Sequence, residues 1–133
     1  MTRRELRENT FLVLFQNDFY PPEELEAQIK LYLNQADMEK FSETEKEEIK
    51  GRAVLAIQKT AELDEKINAV AEGWKAERMG KVELSILRLA LFEILYDDNI
   101  PQGVAINEAV ELAKKFGGDG SPAFINGILA KLV

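Results

Sequence analysis

The chain has 133 residues, with 17 Lys and Arg against 24 Asp and Glu and a formal net charge of −7. It contains no His and no Cys, which removes imidazole bases, thiolate nucleophiles and the usual zinc ligand sets and leaves carboxylate chemistry, lysine chemistry or binding. The length suits one domain that buries roughly two-thirds of its unfolded surface without disulfides or a structural metal, and the acidic balance points to a basic partner or to a basic patch confined to one face.

Residues 1–11 carry Arg side chains but no apolar run of signal-peptide length, so the chain is expected to remain in the cytoplasm, in keeping with its lack of Cys. The longest apolar stretch, residues 84–96, is interrupted by Ser85, Arg88 and Glu93 and is too short to cross a bilayer. The apolar period is helical nearly everywhere, with Gly and Pro at the joints. A first helix is expected over residues 2–17, with Leu6, Thr10, Val13 and Leu14 inward and Phe11 and Phe15 widening the stripe; Asp18, Tyr20 and Pro21 end it. Pro22 suits the first turn of a short second helix whose apolar face is Leu25, Ile29, Tyr32 and Leu33.

Ser42 and Glu45 fit a capping box, with Phe41 as the staple residue. The long helical region that follows places Ile49, Ala53, Ala56, Ile57, Leu63, Ile67, Val70 and Trp74 at three- and four-residue steps, with a break expected near residues 60–64. After Gly80, residues 81–97 present Val82, Leu84, Ile86, Leu87, Leu89, Leu91, Ile94 and Leu95 around almost the whole circumference, the pattern of a central, buried helix. Ile100-Pro101 halts the chain, and residues 103–116 turn Ile106, Ala109, Val110, Ala113 and Phe116 inward, with Gly117-Gly118 as the C-cap signal. Ser121 can cap a last helix, with Pro122 at its first position and Phe124, Ile128 and Leu132 along one side. The fold class is all-α, a compact bundle of about seven helices without an internal repeat.

Several segments resemble a known family: Arg4-Glu5-Leu6-Arg7-Glu8; Val82-Glu83 leading to Leu87-Arg88-Leu89-Ala90-Leu91-Phe92-Glu93; Ile100-Pro101; the run Ala-Ile-Asn-Glu-Ala-Val-Glu-Leu-Ala-Lys-Lys-Phe-Gly at residues 105–117; and Phe124-Ile125-Asn126-Gly127-Ile128-Leu129. They resemble the NusB family of bacterial transcription antitermination factors over nearly the whole length, most specifically at residues 81–132, and only in helical character at residues 20–60. The resemblance implies two packed three-helix units with an extra helix. It also implies binding of single-stranded boxA RNA together with the small-subunit ribosomal protein NusE, within the RNA polymerase antitermination complex that supports ribosomal RNA synthesis. Relatives include dimers and monomers, and a homodimer covering the arginine face would be an autoinhibited store.

Arg3, Arg4 and Arg7 open the first helix; Arg3 and Arg7, four apart, share a face able to straddle a phosphate or stack on unpaired bases. Cations at a positive helix start are disfavoured, and an anionic ligand resolves that conflict; the plain alternative is pairing with Glu5 and Glu8. Lys114 and Lys115 complement a helix C-terminus, while the following Gly-rich turn, with Gly120 and Ser121, exposes amides able to hold a phosphate. Phe124 is either a stacking platform or core. Phe15, Glu77 and Glu83 are the residues that the resemblance sets toward NusE, with Phe15 alternatively a core aromatic.

Arg88, on the most apolar helix, is read as an internal fastening to Glu93 or Glu108. Asn126-Gly127 is read as a point of close helix packing with the Asn amide bonded to a carbonyl. No catalytic residue, metal ligand set or cofactor motif emerges. Two other functions are weighed: an acidic, protein-only docking module for a basic ribosomal protein, and the RNA-targeting domain of an RNA methyltransferase. The chain closing at Val133 without a cofactor-binding βαβ unit speaks against the latter.

Overall fold

The computed structural model describes residues 1–71, 73 and 75–133, so the inward position expected of Trp74 lies outside the described residues. Among the described residues there are seven α-helices, three short 3-10 turns and no strand. They divide into two compact units, Met1–Ile57 and Gln58–Val133.

The first unit holds α1 (Arg3–Phe15), α2 (Pro22–Leu33) and most of α3 (Glu43–Gln58). Helix α1 starts at a capping box: Thr2 N–H donates to Glu5 Oε1 (2.9 Å) and Glu5 N–H donates to Thr2 Oγ1 (3.0 Å). The box expected at α3 is present, Ser42 N–H donating to Glu45 Oε1 (2.9 Å) and Glu45 N–H to Ser42 Oγ (3.1 Å). Pro22 occupies the first turn of α2, where its missing N–H costs nothing. The core joins Leu6 and Val13 of α1, Ile29 and Leu33 of α2, Met38 and Phe41 of the connection, and Ile49 and Ala53 of α3. Across it, Tyr32 Oη donates to Asn9 Oδ1 (2.6 Å) while Asn9 Nδ2 donates to the Glu5 carbonyl (2.8 Å), which ties α2 to α1.

Burial, then the charges of Asp37 and Glu8, push the Tyr32 phenol up to about 12. An unfolded tyrosine ionises near pH ~10, so this contribution to stability is complete below that value and is lost as pH rises toward 12. Allowing for solvent screening of a half-buried phenol, the loss is about 1–2 kcal/mol. Urea titrations between pH 8 and pH 12, roughly, should show this slope reduced in Tyr32→Phe, with a residue left by Tyr96, whose phenol is raised by its bond to Glu62. An undiminished slope would remove Tyr32 as its source.

The second unit contains α4 (Thr60–Val70), α5 (Lys81–Tyr96), α6 (Gln102–Phe116) and α7 (Ser121–Leu132). The break between α3 and α4 falls at Lys59, one residue before the expected span. Helix α5 packs on α4, α6 and α7, and α6 on α7. All ten residues from Leu84 to Glu93 are buried, as a helix apolar around its circumference requires. Leu95 departs from that expectation at 40% exposure, because the last turn of α5 emerges from the helices that enclose its middle.

On α7 the buried stripe is Ser121, Ile125, Ile128 and Leu129, with Phe124 and Leu132 half-buried. This is the expected stripe rotated by about one position, and it corrects the reading of Asn126-Gly127. Both are exposed, and a β-carbon on Gly127 would meet nothing within 4 Å, so no close packing needs the glycine. Ser121 is the first helical residue and not the cap, a place taken by Gly120.

Helix α4 is fastened to α5 by Arg88, whose Nε and Nη2 each donate to an Asp64 oxygen at 2.7 Å. Arg88 is thus an internal fastening, through a bidentate partner on α4 that its own helix could not disclose. Near the end of α5, Tyr96 Oη donates to both Glu62 oxygens at 2.5 Å and Lys59 Nζ sits 5.1 Å from the Tyr96 ring centroid.

Candidate nucleic-acid and partner interface

In the first unit, Arg3 and Arg4 stand exposed on the first turn of α1, whereas Arg7 retains only 9% exposure. The i, i+4 spacing therefore does not make Arg3 and Arg7 an equal outward pair. The capping box turns Glu5 toward the helix start, where the Thr2 amide first of all, and also the Thr2 hydroxyl and Lys40, hold its carboxyl below the usual carboxylate range. Its Oε2 lies 3.8 Å from Lys40 Nζ. Of the two residues expected to offset the arginines, Glu5 is therefore bound to the cap and to another cation.

Phe15 is half-buried and is the middle rung of an aromatic ladder, its ring centroid 6.0 Å from that of Phe11 and 4.9 Å from that of Phe19. Phe11 is 1% exposed and Phe19 54%, so the ladder runs from core to surface with the half-buried Phe15 between them. Phe19 was not singled out from the sequence, although the four-residue spacing of Phe11, Phe15 and Phe19 carries the signal.

In the second unit, Lys114 and Lys115 are exposed in the last turn of α6, Lys114 Nζ 3.1 Å from Glu111 Oε1 and Lys115 Nζ 5.5 Å from the Phe116 ring. Gly117 closes α6 and the exposed Gly120 opens α7. Ser121, 8% exposed, donates its hydroxyl to Glu83 Oε2 (2.9 Å) and accepts the Gly118 N–H (3.1 Å). Glu83 is half-buried in the first turn of α5. Glu77 is exposed and, with Asp64, Asn68, Lys75, Ala76, Lys81, Leu84 and Arg88, lines a cleft of about 470 Å³. Among the described residues, no group of acidic side chains is placed to hold a metal ion, and no helix is long and apolar enough to cross a membrane.

The model of the NusB family matches residues 4–133. The chain belongs to the NusB family. It is 48% identical to the transcription antitermination protein NusB of Lachnoclostridium phytofermentans over 100% of this chain and 99% of that protein. The solved structure of T. maritima NusB matches with a TM-score of 0.87 and 32% identity, over 99% of this chain and 90% of that one. A crystal structure of the antitermination factors NusB and NusE in complex with double-stranded RNA contains a chain matching with a TM-score of 0.79 and 26% identity, over 98% of this chain and 94% of that one.

Within this NusB-family chain the structure joins two candidates that the sequence had assigned to different partners, Ser121 to RNA and Glu83 to protein. Their contact spans 38 positions in the chain, beyond the reach of any local pattern. Ser121 N–H also donates to the Gly118 carbonyl (3.1 Å), and Pro122 has no N–H, so the start of α7 offers fewer donors than a Gly-rich turn suggests. Phe124 is half-buried.

Proposed function

We propose that the chain is a transcription antitermination factor that binds boxA-type single-stranded RNA of nascent ribosomal RNA transcripts jointly with NusE, in the RNA polymerase antitermination complex in the cytoplasm, and that it acts by assembly, not catalysis. The observation that carries this reading is the match to NusB along practically the entire chain, in sequence and in fold, including a chain taken from a complex with NusE and RNA. The physical properties support it: exposed Arg3 and Arg4 at a helix start, exposed Lys114 and Lys115 at a helix end, and a partly exposed aromatic ring at Phe124 are groups that engage phosphates and unpaired bases. Gly120 and Ser121 supply the turn between those lysines and that ring. Arg7, largely buried, is suited to ordering the turn that carries Arg3 and Arg4. Phe15, Glu77 and Glu83 suit an interface with a basic ribosomal protein.

The test is a salt titration of boxA-type RNA binding, with and without NusE, for the unsubstituted chain and for Arg3→Ala/Arg4→Ala. The double variant is expected to bind about tenfold or more weakly, with a log–log salt slope shallower by about 1.4, roughly 0.7 per single-strand phosphate contact. Arg7 is left in place because its side chain belongs to the packing. An unaltered affinity and slope would move the RNA face away from the start of α1. NusE binding without any RNA binding would make the chain an acidic docking module.

A further inference from the structure

The single hydroxyl proton of Ser121 goes to Glu83, and its oxygen receives the Gly118 amide. The backbone at Gly117 makes room for this contact: a β-carbon there would lie 2.6 Å from Ser121 Cβ and Oγ and 2.9 Å from the Ala113 carbonyl oxygen. Two donors that a phosphate at this turn would use are therefore occupied, the Ser121 hydroxyl by the Glu83 carboxylate, which also repels a phosphate, and the Gly118 N–H by the Ser121 oxygen that this carboxylate holds.

We propose that Glu83 is a positioning residue that latches the Gly118–Ser121 turn, and that capture of its carboxylate by a basic side chain of the protein partner frees the turn for RNA phosphate. The inference rests on the proposed reading of this end of the second unit. Two effects act with one sign: an Arg or Lys placed on Glu83 competes for the oxygen that holds Ser121, and it neutralises the charge facing the phosphate. The coupling is reciprocal, so RNA held at the turn withdraws Ser121 from Glu83 and strengthens the partner's grip on it. A chain of net charge −7 thereby remains a poor RNA binder until its protein partner is in place.

The experiment uses the full chain, NusE and a boxA-type single-stranded RNA, with two readouts. Hydrogen exchange of the Gly118 amide, followed by NMR without RNA, should quicken several-fold when NusE is added and should already be fast, and indifferent to NusE, in Ser121→Ala. RNA affinity without NusE should rise about threefold or more in Glu83→Ala, where a merely structural role would lower it, and the affinity gain conferred by NusE, about fivefold or more in the unsubstituted chain, should shrink in Ser121→Ala. Gly118 exchange unmoved by NusE, or a NusE-dependent gain unchanged in Ser121→Ala, would overturn the latch while leaving RNA binding intact. An unsubstituted chain that binds no RNA even with NusE would overturn the reading beneath it.

Discussion

Asp64→Ala is expected to destabilise the fold by about 3–5 kcal/mol, because it removes the bidentate carboxylate from a guanidinium that cannot give up its charge. The Arg88 side chain is 6% exposed and that of Asp64 25%, so the two ends of the pair are not equivalent. Arg88→Met keeps most of the stem volume and leaves behind a carboxylate that water still reaches, so its cost should be smaller, about 1–3 kcal/mol. Combining the two changes removes both charges, and the double variant should be more stable than the sum of single losses by about 1–3 kcal/mol. Urea denaturation of the four proteins closes this cycle. Additive losses would show that Arg88 and Asp64 do not act as a unit.

Leu87→Ala should cost about 3–4 kcal/mol and Leu95→Ala less than about 0.5 kcal/mol, although both are leucines of one helix. Leu87 is 0% exposed and lies in the enclosed run of α5, where truncation removes transfer energy and leaves a cavity; Leu95 is 40% exposed on the emergent last turn. Thermal and denaturant unfolding of the two variants separates these positions. Equal losses would mean that α5 is enclosed to its end.

The elements themselves were largely legible. Three-residue capping spacing placed the start of α3, Pro22 the start of α2, and an apolar circumference the buried middle of α5, because each depends on residues within a few positions of one another. The family was legible too, since Lys114, Lys115, Gly117 and their neighbours form a long uninterrupted run. The capping box of Thr2 and Glu5 obeys the same local rule, its two residues flanking Arg3 and Arg4.

The roles of particular side chains were less legible. Arg3 and Arg7 are equivalent by spacing, yet one is exposed and the other is 9% exposed. The stripe of α7 contains Ile125 and Leu129 in place of Phe124 and Leu132, although both choices satisfy a helical period. Arg88 has acidic residues available along the chain and takes Asp64 on another helix.

The sequence by itself determined the all-helical class, nearly all of the helix starts, the absence of imidazole and thiol chemistry, and the family. Local hydrogen-bonding patterns and composition suffice for the first three, and the resemblance of long residue runs for the family. Only the tertiary structure decided how far each helix is rotated, which cations face solvent, and that Glu83 holds Ser121 across 38 positions. Periodicity defines a face only to within about one residue, and a contact between distant segments depends on packing that no local window contains.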